Sequence, residues 1–185
     1  MTDRPDPYQQ ERDRWRRMQR GRPVDVVRPG AGQESVWDYP RPPSVNRVEA
    51  RVRVEFGERT LADTTRALRV CETSSPPVYY IPEADIQMAL LEPSARTSFC
   101  EWKGLASYWS VRAGDRVAKD AAWSYPDPDP GFEAIRGCIA FYPRRMDACW
   151  VGEHRVTPQP GFFYGGWVTP DLVGPFKGSP GSEGW

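Results

Sequence analysis

Residues 97–130, TSFCEWKGLASYWSVRAGDRVAKDAAWSYPDPDP, bring together Cys100, Trp102, Lys103, Tyr108, Trp109, Trp123 and Tyr125. Aromatic walls, one amine and one thiol suit a pocket that holds a small molecule, because such sites are mainly apolar with a few placed polar groups. Glu72 and Lys103 both sit where a strand run gives way to a loop, a common mounting for functional groups. Two roles compete for them. They form an ion pair that closes two sheets, or they face a ligand, with Lys103 binding an anion or carbonyl and Glu72 accepting from an imide or amine N–H. Buried, they must have partners, since an unpaired buried charge is very costly. The candidate ligand-binding residues are Glu72, Tyr80, Lys103, Tyr108, Trp123 and Tyr125. For catalysis the candidates are Glu72 as acid/base and Cys100 as nucleophile. A nucleophilic cysteine needs a base or a positive environment; Lys103 is near in sequence, whereas His154, the one histidine, falls in a surface turn. A buried, inert Cys100 is the competing expectation. Glu72 with Asp85 is a further carboxylate pair, of the kind glycoside hydrolysis uses. Asp127 and Asp129 have metal-like spacing, but PDPDP also describes a stiff exposed loop. Neither phosphate-cradling glycine motif is present, so phosphoryl transfer lacks its usual equipment.

The elements that must carry these residues read as β. In VEARVRVEF, Val48, Ala50, Val52, Val54 and Phe56 alternate with charged residues, which requires one buried and one wet face. Gly57-Glu58 turns the chain into a strand over 60–63. Further strands are predicted over 67–72 and 78–81, and 82–91 reads as a turn. Residues 105–111 and 116–123 flank Ala113-Gly114-Asp115 as a hairpin that places Tyr108 and Trp123 on neighbouring strands. The adjacent Tyr79 and Tyr80 face opposite sides of their strand, one toward the core and one toward the cleft. A turn or two of helix is expected near 132–136, and strands over 138–142 and 147–151 complete the set. About eight short strands with little helix favour two packed sheets.

The 185 residues suit one domain with appended segments. Twenty-five basic and 25 acidic residues cancel, giving no general electrostatic case for nucleic acid or an anionic membrane. No membrane span or secretory leader is legible, so the expected compartment is the cytoplasm. Cys71, Cys100, Cys138 and Cys149 are widely spaced without a CxxC pair; neither a metal site nor a cofactor is expected, and reduced thiols are. Residues 9–23 are dense in arginine and read as a mobile arm or short solvated helix, with phosphate contacts from Arg12, Arg14, Arg16, Arg17 and Arg20 as the functional alternative. Residues 36–43 read as a proline-stiffened strap that docks Trp37 and Tyr39. The aromatics of the last 25 residues are too costly to expose, so this tail should wrap its own domain or a partner subunit.

Four motifs in order, CETSSPPVYYIPEADI (71–86), SFCEWKG (98–104), ASYWSV (106–111) and AAWSYPDP (121–128), resemble the DUF427 family, sometimes labelled nucleotidyltransferase-like. A longer form of that family shares ESVWDYPRPP (34–43) and GFFYGGWVTPDLVGPFKGSPGSEGW (161–185), so the resemblance spans roughly 34–185. It implies a β-tent-like fold: mainly β, two antiparallel sheets pinned along one edge, with little helix. Some β-tent relatives hold a structural zinc, for which this chain lacks the ligands. The family's T-H-C form of the second motif has histidine where Phe99 stands here, so no Cys/His nucleophile carries over. The expected organisation is an Arg-rich arm (1–33), a strap (34–47), a β-tent-like DUF427 domain (48–152) and a C-terminal wrap (153–185). The expected function is a small-molecule-binding β module whose aromatic cleft takes a polar heterocycle or nucleotide-like metabolite. An enzyme acting on a small metabolite and a structural, homodimer-forming module are the alternatives.

Overall fold

A computed structural model describes residues 6–18 and 21–185 of the chain, and Arg20 of the arginine-rich segment lies outside the described residues. The chain is mainly β, built from antiparallel sheets with one short α-helix, α1 (Gln9–Arg17). In chain order the strands are β1 (Glu34–Ser35), β2 (Ser44–Arg47), β3 (Val52–Phe56), β4 (Arg59–Thr64) and β5 (Leu68–Cys71). Then follow β6 (Val78–Pro82), β7 (Leu91–Cys100), β8 (Gly104–Ala113), β9 (Arg116–Ser124) and β10 (Cys138–Phe141). The last are β11 (Ala148–Val151), β12 (His154–Arg155), β13 (Thr157–Pro158), β14 (Trp167–Val168) and β15 (Leu172–Val173).

Seven strands form one sheet in the order β2-β5-β6-β10-β9-β8-β7, and four form a second in the order β12-β11-β3-β4. The predicted alternation in β3 is realised: Val52, Val54 and Phe56 are buried while Arg53 and Glu55 are half-exposed. The predicted strand at Val48 is shorter than expected, because residues 48–51 bend as the chain leaves β2 in one sheet to enter β3 in the other. The main core lies between the sheets, where Val52, Val54 and Leu61 meet Tyr79, Ile81, Ile139 and Phe141. Strand alternation sends the intervening residues, Tyr80, Ala140 and Trp123, to the opposite face of the seven-stranded sheet and into a second cluster with Tyr108, Tyr125 and Tyr142. A burial face on each side of one sheet is thus encoded by alternating residues of the same strands.

The longest strand to escape the sequence is β7; β2, read as part of the strap, and the two-residue strands β1, β12, β13, β14 and β15 escaped it too. Residues 91–100 form β7, at the edge of the large sheet, with a break in its pairing to β8 between Pro93 and Thr97. An edge strand tolerates the proline because its outer N–H has no ladder partner to lose, and the bulge absorbs the irregular pattern. Residues 82–91, read as a turn, hold two single 3-10 turns, Glu83–Asp85 and Met88–Leu90.

The chain ends fasten onto this body. Trp37 is buried, donates its indole N–H to the Pro175 carbonyl at 2.8 Å and meets Trp185 edge-on. Strand β1 pairs in parallel with β15, and β13 pairs with β14. Trp167 is fully buried in the main core, tilted against Tyr79, with its N–H donated to the Phe141 carbonyl at 3.0 Å. The tail therefore covers its own domain.

Candidate functional site

The second face of the large sheet carries a cavity of about 380 Å³. Adjacent strands build its floor. Tyr108 of β8 stands directly opposite Trp123 of β9, and Trp123 opposite Ala140 of β10, which in turn faces Tyr80 of β6. Tyr125 extends the floor just past β9, and Lys103 enters from the turn between β7 and β8. All six residues proposed from the sequence, Glu72, Tyr80, Lys103, Tyr108, Trp123 and Tyr125, line this one space, and Cys100 lines it too.

The rings interlock. Trp123 packs on Tyr142 with centroids 4.4 Å apart and meets Tyr80 edge-on at 6.5 Å. The Tyr108 hydroxyl is 2.9 Å from Ser98 Oγ, and the Arg96 guanidinium lies 4.3 Å from the Tyr108 ring centre. The Tyr80 hydroxyl is fully buried and has no partner in hydrogen-bond geometry. Burial pushes the phenol up to about 12, against the opposing pull of the nearby Lys103 and, less, of Trp123. Burial likewise raises Tyr125 well above its ordinary range. Tyr80 and Tyr125 are therefore neutral hydroxyls near pH 7.

Lys103 is the charged group of the site. Its side chain is buried, with Nζ 5.8 Å from the Tyr125 ring centre and 5.9 Å from that of Phe132. Burial disfavours the ammonium, yet Cys100, Tyr80 and Glu72 outweigh it and hold Lys103 above the usual lysine range. The expected Glu72–Lys103 ion pair is not made. Glu72 instead approaches Arg41 of the strap, Oε1 to Nη1 at 3.8 Å, because the strap lays Arg41 beside the end of β5. Lys103 has no carboxylate within ion-pairing distance among the described residues.

Other chemical candidates disperse. Asp85 is held by Thr64 and Arg66, each at 2.6 Å, and does not line the cavity, so the Glu72–Asp85 pair does not exist. Asp127 pairs with Arg136 at 3.1 Å and Asp129 with Arg12. Cys71, Cys138 and Cys149 are buried as core, whereas Cys100 is half-buried on the cavity wall, contrary to the inert core role. Strand β7 ends at this residue, exposing its side chain to the cleft rather than to the space between the sheets.

Several wall residues had no sequence signal pointing to this place. Helix α1 contributes Glu11 and Trp15, and the C-terminal segment contributes Gln159, Phe163, Tyr164, Gly165 and Lys177. The arm is docked by its arginines and Tyr8: Arg16 Nε donates to the Glu101 carbonyl at 2.9 Å, and Tyr8 stacks on Phe99 at 4.5 Å. One clue was available. The chain has only three lysines, Lys103, Lys119 and Lys177, and two of them face this cavity.

The family model described as a domain of unknown function, DUF427, matches residues 44–152. The chain belongs to the DUF427 family. The matched span supplies the floor of the cavity with Cys100 and Lys103, while α1 and the tail that complete its walls fall outside it. No curated protein matches this sequence.

Proposed function

We propose that this DUF427 protein binds a small, planar, polar metabolite, a heterocycle or nucleotide-like compound, in the cavity on the outer face of the seven-stranded sheet. The observation that carries this is Lys103: a buried amine set among aromatic rings, with no carboxylate in pairing distance among the described residues. A buried cation gains most from an acceptor that enters with it, and a ring carbonyl or an acidic substituent supplies one. The neutral Tyr80 hydroxyl can donate to a second acceptor, Glu72 can accept a ligand N–H, and Trp123 with Tyr142 offers a face for stacking. A cavity of about 380 Å³ matches the lower part of the range for small-molecule sites, roughly 300–1,000 Å³.

A thermal-shift and calorimetric screen against nucleobases, nucleosides, nucleotides and cyclic imides tests this. A ligand at about 100 times its Kd should add roughly 2.7 kcal/mol of stability. Lys103→Met, checked for folding by near-UV circular dichroism, should lose at least tenfold in affinity, about 1.4 kcal/mol. Binding that is indifferent to Lys103→Met and to Tyr80→Phe would refute the assignment. A second reading, an enzyme with Cys100 as nucleophile, is favoured by one observation, the placement of that thiol beside Lys103 on the cavity wall. It requires turnover of a bound compound that Cys100→Ser abolishes without weakening binding.

A further inference from the structure

A second recess, more open and about 530 Å³, lies where the arm, the strap and the β5–β6 connection meet. Its walls include Arg16, Arg17, Arg41, Thr73, Ser74 and Trp102. Arg16 and Arg41 both lie over the Trp102 indole, with guanidinium carbons 5.1 Å and 5.2 Å from the ring centre. Stacking on an indole attracts each cation but does nothing for the repulsion between them. Two carboxylates approach this group, Glu72 at 3.8 Å from Arg41 and Asp13 at 3.7 Å from Arg17. No acidic residue is among those lining the recess.

Two buried polar groups sharpen its chemistry. Trp102 is 7% exposed and its indole N–H has no hydrogen-bond partner, and Ser74 is 1% exposed with an unpartnered hydroxyl. Buried polar atoms are nearly always satisfied, so both require an explanation. An indole nitrogen can only donate, and guanidinium groups can only donate. Donors and positive charge converging on one recess select an acceptor with several oxygens and negative charge.

We propose that this recess is an oxyanion site, built for a phosphate or phosphomonoester group, with Arg16, Arg17 and Arg41 as the charged clamp and Trp102 Nε1–H and Ser74 Oγ–H as fixed donors. Arginine pairs its planar fork with phosphate oxygens, and such charge-assisted bonds are the stronger kind. Arg16 is anchored through Nε to the Glu101 carbonyl at 2.9 Å and Arg17 through Nε to the Asp13 carbonyl at 3.1 Å, which leaves their exposed terminal nitrogens to reach the group, while Arg41 is positioned by its Nη2 bond to the Trp15 carbonyl at 2.7 Å. The recess shares no lining residue with the cavity that holds Lys103, although Arg41 touches two of that cavity's wall residues, Glu72 and Trp15.

Indole N–H resonances of the full chain, labelled with nitrogen-15, report it directly. Titration with inorganic phosphate should move one indole peak saturably, with a Kd in the range of about 0.1–10 mM expected for a single small anion. That peak should be the one missing in Trp102→Phe, which keeps the ring packing but removes the donor. Arg16→Gln with Arg17→Gln should weaken binding by about tenfold or more, the loss expected for charge-assisted bonds, while the other indole peaks show the fold unchanged. Glycerol phosphate in a parallel titration separates the sources: tighter binding than phosphate identifies an ester as the partner, weaker binding identifies the free anion. A Trp102 peak that stays still in both titrations, that moves equally with chloride at matched ionic strength, or that responds identically in the double arginine variant would overturn the assignment.

Discussion

Gly165→Ala probes how tightly the C-terminal segment closes the cavity on the outer face of the seven-stranded sheet. A Cβ at this position would sit 2.3 Å from Trp123 Cη2, 2.9 Å from Trp123 Cζ3 and 3.2 Å from Tyr142 Cδ1. Carbon atoms in contact prefer about 3.5–4.0 Å, so the overlap with Trp123 exceeds 1 Å. The ring has little room to yield, being buried between Tyr142 and Tyr80. Either the indole turns into the cavity or the tail lifts, and overpacking of this sort costs about 1–3 kcal/mol. For a chain of this length each kcal/mol lowers Tm by about 2–4 °C, so a fall of roughly 5 °C is expected. Gly184→Ala is the control, since nothing lies within 4 Å of its added Cβ. Thermal unfolding followed by near-UV circular dichroism measures both, and the Gly165 variant should also change the aromatic signal as Trp123 moves. A Gly165→Ala protein with the melting point and aromatic spectrum of its parent would show that the tail does not press on Trp123, and the closed cavity would have to be abandoned.

Alkaline pH should destabilise the protein in a defined window. Burial raises Tyr79 and Tyr80 from 10.0 to about 12, and Lys103 is raised as well. A raised folded-state value stabilises below the unfolded value and is lost as pH climbs through the folded one, so stability should fall between pH 10 and 12, by up to about 3 kcal/mol per tyrosine. Urea midpoints across that window, compared with Tyr80→Phe, check it; a flat profile would contradict the burial of these phenols. Trp167→Ala should cost about 3–5 kcal/mol by opening a cavity in the main core, read as a lower urea midpoint with an unchanged slope. A chain shortened to begin at Gly21 removes Glu11 and Trp15 from the cavity wall, and alkylation of Cys100 by iodoacetamide should then accelerate while the buried Cys149 stays unreactive.

How much of the site was legible depended on whether its residues were linked by local periodicity. Tyr79 and Tyr80 are neighbours in a strand, so their separation onto two faces follows from alternation alone, and the β8–β9 hairpin brings Tyr108 to Trp123 through one tight turn at Gly114. The partner of Glu72 was not legible in this way. Arg41 reaches it from a strap whose docking depends on Trp37 and a C-terminal carbonyl, a long-range arrangement that leaves no periodic trace. Strand β7 was hidden for a local reason: Pro93 suppresses strand propensity, and only its position at the sheet edge makes it tolerable. Helix α1 was legible as a short solvated helix, but its docking was not, because none of its residues is buried and it is held by arginine and aromatic contacts instead.

The parallel pairing of β1 with β15 also bears on biosynthesis. Translation delivers β1 long before β15 and before Trp167, which fills the centre of the main core. A nascent chain that has completed the matched DUF427 span still has an unfilled core and an unpaired strap edge. Such exposed apolar surface and free strand edges are what chaperones recognise and aggregates exploit. Closure therefore waits until Trp167 and β15 have been made, and a chain truncated before Trp167 should yield a product that is cleared or precipitated rather than one that is merely shorter.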